Sequence, residues 1–181
     1  MFFADAAILV EGVAESMLLP HFIRSKFPEL YQRYITILGV NGRHAHRLSP
    51  LIEKLCLPTL VITDLDPAEK EGYHKSVVPK RGEGQISGNY AIAKWLMKEK
   101  DIDKLVDYSE DKKEFSFASP YRFSIRLAYQ TPVKVDFEGE EKEAIPGTFE
   151  DCLIYTNYDL FKKIKVTDSG NLVEQTHDLL N

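Results

Sequence analysis

Short apolar runs alternate with segments of helical spacing through the first third of the chain. The runs at 6–10, 34–40 and 60–63 are β-branched and aliphatic and are bounded by turn residues, as is typical of strands buried on both faces. Between them, segments 14–26 and 44–55 place apolar side chains at helical spacing. This order predicts right-handed βαβ units and therefore an α/β fold with a central, mostly parallel sheet flanked by helices.

After residue 66 the pattern becomes more polar and less regular. Residues 67–88 combine Gly and Pro with many charges, which predicts a long inserted loop. The further predicted elements are helices at 89–97, at 101–107 and from 146 or 148 to about 157, and strands at 121–129 and 133–137.

Composition narrows the class of protein. The 181 residues suit one domain, and 44% hydrophobic with 28% charged residues is ordinary for a globular protein. No run is long enough to span a membrane, and the N-terminus lacks the layout of a signal peptide. Cys56 and Cys152 are too few for a disulfide framework or a zinc site, so we expect a reducing cytoplasm. The net charge of −5 argues against a protein that holds nucleic acid by bulk positive charge.

Two pairs of acidic residues follow predicted strands. Glu11 and Glu15 come after the first strand, and Asp64 and Asp66 come after the third. Loops that follow parallel strands meet at one edge of the sheet, where ligands bind. Carboxylates so close together repel one another unless a proton or a cation lies among them, and hard oxygen ligands favour Mg²⁺ or Mn²⁺. The sequence therefore predicts one shared acidic cation site.

Each acidic motif also has a plainer interpretation when it is taken alone. Glu15 could simply complement the dipole of the helix that it begins. Asp66, before Pro67, could cap a turn, while Asp64 could anchor a loop amide. The segment Thr148-Phe149-Glu150-Asp151 has the form of an N-cap followed by acids in the first turn. The joint placement of the two pairs on strand ends of one sheet favours metal binding for those pairs.

The motifs resemble a known family. Val10-Glu11-Gly12 followed by Glu15, and Thr63-Asp64-Leu65-Asp66 after the third strand, are similar to the TOPRIM domain of topoisomerases, primases and several nucleases. Four more segments narrow the resemblance to the nucleases of the OLD (overcoming lysogenization defect) family, over roughly residues 2–157. They are Phe2-Phe3-Ala4-Asp5, Gly39-Val40-Asn41-Gly42, Tyr129-Gln130-Thr131-Pro132-Val133 and Gly147-Thr148-Phe149-Glu150-Asp151.

The resemblance implies a TOPRIM (Rossmann-like) fold and a two-metal DNA endonuclease that uses Mg²⁺ or Mn²⁺. It implies that Glu11, Asp64 and Asp66 hold one ion. It implies that Glu15, Thr148 and Glu150 complete a second site. The residues implied in catalysis are Glu11, Asp64, Asp66 and Glu150.

Several basic residues are candidates for phosphate contacts near this site, with a solvated surface as the alternative. They are Arg43, His44, His46, Lys80 and Arg81.

The chain departs from the family in two respects. OLD nucleases join an N-terminal ABC-type ATPase to this domain, and the chain has no Walker A pattern. They also resemble one another in a lysine beyond the Thr/Ser-x-Glu helix, and Lys162, Lys163 and Lys165 lie too close to Glu150 to correspond to it. We therefore expect a fragment of a larger ATPase-nuclease that is weakly active or inactive in isolation, with the lysine beyond Asn181.

This interpretation divides the chain into a TOPRIM nuclease domain at 1–157, with its inserted loop at about 67–88, and a tail at 158–181 that begins a missing helical segment. The expected partners are DNA and the ATPase domain of the parent protein, through which alone ATP would act. A homo-oligomer could form through the parent protein, and no membrane is involved.

Other classes of protein explain fewer of these features. The leading alternative is a non-catalytic TOPRIM module that recruits DNA or protein. A receiver domain would show a lysine at a later strand end, and a haloacid-dehalogenase-like phosphatase would carry its DxD after the first strand. Topoisomerase chemistry requires a nucleophilic tyrosine, and none of the nine tyrosines can be assigned that role from the sequence.

Overall fold

The computed structural model describes residues 3–40, 44–70, 75–137 and 139–162. The strands in these ranges are β1 (Ala6–Val10), β2 (Ile35–Gly39), β3 (Thr59–Ile62), β4 (Pro67–Ala68), β5 (Ile86–Ser87), β6 (Glu114–Phe117), β7 (Phe123–Ala128), β8 (Val133–Phe137) and β9 (Glu140–Ala144). The α-helices are α1 (Val13–Lys26), α2 (Pro28–Tyr31), α3 (Ser49–Leu55), α4 (Ile102–Val106), α5 (Phe149–Thr156) and α6 (Tyr158–Phe161). Ala45–Leu48 and Glu110–Lys113 are 3₁₀ turns, and Ala91–Trp95 is π-helical.

The central sheet has five strands in the order β2-β1-β3-β7-β6. The first four run parallel, and β6 is an antiparallel edge strand paired with β7. The predicted α/β class with a mostly parallel sheet is confirmed. Because the four parallel strands point the same way, the segments that follow β1, β2, β3 and β7 all leave at the carboxyl edge of the sheet.

Alternating side chains build a core on each face of the sheet. Leu9, Val61 and Leu127 lie side by side on one face and pack against Ile52 of α3 and Ile92 of the π-helical segment. On the opposite face, a second cluster joins apolar residues of β1, β2 and β3 to α1; its members include Ile8, Val10, Ile23, Leu19, Ile37 and Ile62. The parallel strands are thus covered on both sides, as their continuous apolar sequences require.

The later part of the chain differs from the sequence-based prediction. The strand predicted at 133–137 exists as β8, but it pairs with β9 in a separate hairpin and does not join the central sheet. The strands β6 and β9 have no clear signal in the sequence, because their exposed positions are polar and only one face of each packs against apolar neighbours. The described parts of the predicted inserted loop, residues 67–70 and 75–88, are mostly without regular structure and contain the two-residue pairing of β4 with β5.

Part of the predicted organisation lies outside the described residues. This holds for Asn41 and Gly42 of the turn after β2, for Arg43, and for the tail beyond residue 162. Across the described ranges, no helix is both long and apolar enough to cross a membrane.

We expect Ile52→Ala to lower the free energy of unfolding by about 2–5 kcal/mol, because the side chain is fully buried and its loss leaves a cavity under the sheet. Urea unfolding followed by circular dichroism measures the change. Glu53→Ala, one residue along the same helix and exposed, is the control and should stay within about 0.5 kcal/mol of the parent chain. Equal effects of the two substitutions would contradict the packing of α3 on this face.

Candidate metal centre

The two acidic motifs meet at the carboxyl edge of β1 and β3. Val10 pairs with Ile62 in the parallel register, so Glu11 and Thr63 follow at matched positions. The Thr63 hydroxyl donates a hydrogen bond to Glu11 Oε2, and the Asp64 backbone N–H lies 3.3 Å from the same oxygen. The end of β3 therefore fixes the Glu11 carboxylate directly above the sheet.

Asp64 and Asp66 are held by different partners. Leu65 between them is fully buried in the core. Asp64 Oδ1 accepts hydrogen bonds from Gln130 Nε2 at 2.6 Å and from the Phe149 backbone N–H at 3.0 Å. Asp66 adopts a left-handed backbone conformation (φ 48°), where the chain turns away from the sheet.

Glu15 is the most deeply buried of the four acids, with 2% of its surface exposed. Its Oε2 atom has no hydrogen-bond partner among the described residues. The carboxylate folds back over Gly12, where an added Cβ would stand 2.5 Å from Oε2, so any side chain at position 12 would displace Glu15. A carboxylate without a partner is costly to bury, which makes Glu15 a candidate ligand for a cation.

Burial and like charges act together on Asp64. Desolvation is the largest influence and raises its pKa from 3.8 to about 7. The hydrogen bond from Gln130 lowers the pKa, whereas the charges of Glu11, Asp66 and Glu15 each raise it. All four acids predicted from the sequence therefore lie close enough to influence one another.

The start of α5 also reaches the cluster, through the backbone. Phe149 donates its N–H to Asp64, which places the first turn of the helix beside the acids. Thr148 forms a capping box with Asp151: its Oγ1 accepts the Asp151 N–H at 3.2 Å, and the Asp151 carboxylate accepts the Thr148 N–H at 3.1 Å. Glu150 is exposed and makes no hydrogen bond or ion pair within the described ranges. Thr148 is thus the N-cap of α5, and Glu150 is an exposed side chain in its first turn.

Two buried amides that the sequence analysis assigned no role join the acids together. Asn89 is fully buried and donates to Glu11, Thr63 and Asp66. Gln130 donates to Asp64 and accepts the backbone N–H of Leu65 at 2.8 Å. Gln130 lies in a segment already noted for its resemblance to the OLD family, whereas Asn89 lies where only the start of a helix was predicted. No local sequence pattern marks either residue.

The donor set fits a hard divalent cation. Every polar side-chain group at the edge offers oxygen or amide atoms. Glu15 Oε2 is buried without a partner among the described residues, and burial raises the pKa of Asp64. Within the described part of the chain, no three His, Cys, Asp or Glu side chains form a ready-made metal-binding group. The carboxylates instead accept hydrogen bonds from amides and N–H groups, and each keeps further lone pairs that could coordinate an ion.

The basic residues proposed to contact phosphate differ in how available they are for such a contact. Arg81 already pairs with Asp107 at 2.9 Å and Glu143 at 2.7 Å. His46 is half-buried, with its ring 5.6 Å from that of Tyr90. Lys80 is exposed, and Arg43 lies outside the described residues.

We expect the metal-free chain to lose stability as the pH rises from 3.8 to about 7, because Asp64 binds its proton more tightly in the folded state than in the unfolded state. Asp64→Asn should remove this part of the pH dependence and still accept the hydrogen bonds from Gln130 and Phe149. Thermal unfolding in EDTA across this pH range measures the effect. A parent chain and variant with parallel pH profiles would contradict it.

Comparison with known proteins agrees with this geometry. Residues 2–66, which contain all four acids, match the model of the TOPRIM domain of overcoming lysogenization defect protein-like proteins. Endonuclease GajA of Bacillus cereus (strain HuB5-5) is 27% identical over 184 residues that include 98% of this chain, and the chain spans 24% of the length of that protein. No solved structure matches the chain significantly. Residues 2–66 are therefore similar to the TOPRIM domain of OLD-like proteins, the family that the acidic motifs resemble.

Proposed function

We propose that this chain is the catalytic domain of a divalent-metal-dependent endonuclease that hydrolyses DNA phosphodiester bonds. The observation that carries the proposal is the meeting of four acids at one sheet edge, with Asp64 desolvated and Glu15 buried without a partner. Clustered acids of this kind are unfavourable without a bound cation. The match to a TOPRIM domain model and the similarity to an endonuclease support nuclease activity.

We assign the first ion to Glu11, Asp64 and Asp66, which follow the ends of neighbouring strands. Glu15, Thr148 and Glu150 are proposed to hold a second ion, since α1 and the start of α5 both approach Asp64. The ions are Mg²⁺ or Mn²⁺, as the oxygen donors indicate. When bound, a pair of such ions activates water and stabilises the leaving oxygen of a phosphodiester.

The chain itself supplies orientation and charge balance. Thr63 holds the Glu11 carboxylate, and Gln130 with the Phe149 N–H holds that of Asp64. The N-terminus of α5 faces Asp64, and its partial positive charge favours the ionised carboxylate. These contacts keep acids that repel one another close together, which a cation site requires.

Bound cations would also reconcile a DNA substrate with the negative net charge of the chain. A chain with net charge −5 would repel DNA over much of its surface. Bound cations at the acidic edge would remove this obstacle where the phosphate must approach. Lys80 is exposed and available for a further phosphate contact, whereas the charge of Arg81 is already matched by two carboxylates.

We further propose that the nuclease domain extends over 1–157 and works within a larger ATPase-nuclease. The supports are the OLD-like family match and the fact that the chain spans 24% of the length of its relative. ATP would act only through the ATPase domain, and any homo-oligomer would form through the parent protein.

We expect the chain to bind two Mn²⁺ ions in calorimetric titration. Glu11→Gln and Asp64→Asn should lower the affinity for the first ion, because each replaces a charged ligand with a neutral amide. Glu150→Gln should remove only the second ion, without loss of thermal stability, because the side chain is exposed.

The matched control for these substitutions is Glu29→Gln. It makes the same chemical change at an exposed position in α2, beyond the far end of α1. If the parent chain binds no Mn²⁺, or if Asp64→Asn and Glu29→Gln bind it equally well, the metal-centre proposal is wrong.

We also expect slow nicking of supercoiled plasmid in Mn²⁺ that EDTA abolishes. Asp64→Asn should lower the rate by at least about 100-fold, as the loss of one preorganised electrostatic group does in other enzymes. Glu29→Gln should cut at the parent rate. The chain could instead bind two Mn²⁺ ions and yet cut DNA no faster than Asp64→Asn does. That result would favour the non-catalytic recruitment module.

A further inference from the structure

Asn89 occupies the space between the two acidic motifs. It follows β5 and precedes the π-helical segment, 78 residues along the chain from Glu11. Its exposed fraction is 0%, although it lies at the carboxyl edge among charged groups. A fully buried polar side chain in that position must have all its hydrogen bonds satisfied by the site itself.

Its amide group contacts both motifs at once. Asn89 Nδ2 lies 3.0 Å from Glu11 Oε2, 2.8 Å from Thr63 Oγ1 and 3.1 Å from Asp66 Oδ2. Two amide hydrogens are therefore shared among three acceptors, two of them carboxylate oxygens of different motifs. The amide thus links Glu11 with Asp66.

The direction of the amide is fixed from the other side. Asn89 Oδ1 accepts the backbone N–H of Ala91 at 3.0 Å, so the oxygen must face the π-helical segment and the nitrogen must face the acids. The backbone is held as well, because Ser87 Oγ accepts the Asn89 N–H at 3.2 Å and the Asn89 carbonyl accepts the Ala93 N–H at 2.8 Å. The amide cannot turn over without losing these bonds.

We propose that Asn89 is a positioning residue that sets the separation of Glu11 and Asp66 for the cation. The inference rests on the proposed metal centre and adds to it a residue outside the acidic motifs. The amide hydrogens carry partial positive charge, so they draw the two carboxylates together before an ion arrives. A carboxylate has about four lone-pair sites, and one hydrogen bond to the amide leaves it able to bind a cation.

A purely structural role would make a different prediction. If Asn89 served only to begin the π-helical segment, any substitution that loosens that segment would act in the same way. Ser87→Ala provides this comparison, because it removes the bond to the Asn89 N–H and touches no carboxylate. Ser87 is itself buried, with 2% exposed, so the two sites are matched in burial.

The test compares Asn89→Ala with Ser87→Ala in the full chain, by Mn²⁺ titration calorimetry and by thermal unfolding in EDTA. We expect both variants to be less stable without metal. Only Asn89→Ala should lose affinity for Mn²⁺, by about 10–100-fold, as is typical when a partner of a metal ligand is removed.

Asn89→Asp supplies a second measurement that does not depend on a loss of affinity. The substitution preserves the acceptor for the Ala91 N–H and adds a carboxylate beside Glu11 and Asp66. We expect a lower melting temperature in EDTA and a larger rise on adding Mn²⁺ than in the parent chain, because the ion then relieves more repulsion. A role confined to the π-helical segment predicts no such enlarged response.

The outcomes separate this inference from the proposed function. If the parent chain binds Mn²⁺, and Asn89→Ala binds it as well as Ser87→Ala does, the positioning role is wrong and the metal centre stands. An Mn²⁺ response of Asn89→Asp no larger than that of the parent chain would also overturn the positioning role. If the parent chain binds no Mn²⁺, both proposals fail together.

Discussion

Repulsion among carboxylates at one sheet edge is the constraint on which the rest of the site depends. Burial is the largest cause that raises the pKa of Asp64, and the charges of Glu11, Asp66 and Glu15 raise it further. Parallel strands cause this crowding, because neighbouring strands deliver the residues that follow them to the same edge. The fold therefore concentrates negative charge at a place where few water molecules can solvate it.

Hydrogen-bond donors from distant parts of the chain offset this repulsion. Asn89, Gln130 and the Phe149 N–H reach the acids across 78, 66 and 85 residues of sequence. Each contact also fixes a segment: the start of the π-helical segment, the residues that follow β7, and the start of α5. The same bonds that hold the acids thus dock the outer elements on the sheet, so the site and the packing around it depend on each other.

The sequence predicted the parts of the molecule that have a local cause. The strands β1, β2 and β3 are continuous apolar runs, and α1 and α3 carry apolar residues at helical spacing, so pattern alone located them. The meeting of Glu11 with Asp64 followed from parallel pairing. By contrast, β9 is mostly charged and is stabilised by its partner β8, and a lone asparagine after a loop has no periodic signal. The formation of β9 and the placement of Asn89 both depend on tertiary contacts.

The same division runs through the site itself. The four acids lie within residues 2–66, the part of the chain that matches the TOPRIM domain model. The groups that orient them, Asn89, Gln130 and Phe149, all lie beyond it. The acidic motifs alone therefore do not distinguish a metal-binding nuclease domain from a non-catalytic module with the same fold. That distinction depends on whether the later segments hold the carboxylates where a cation can join them, which makes the buried amides as informative as the acids.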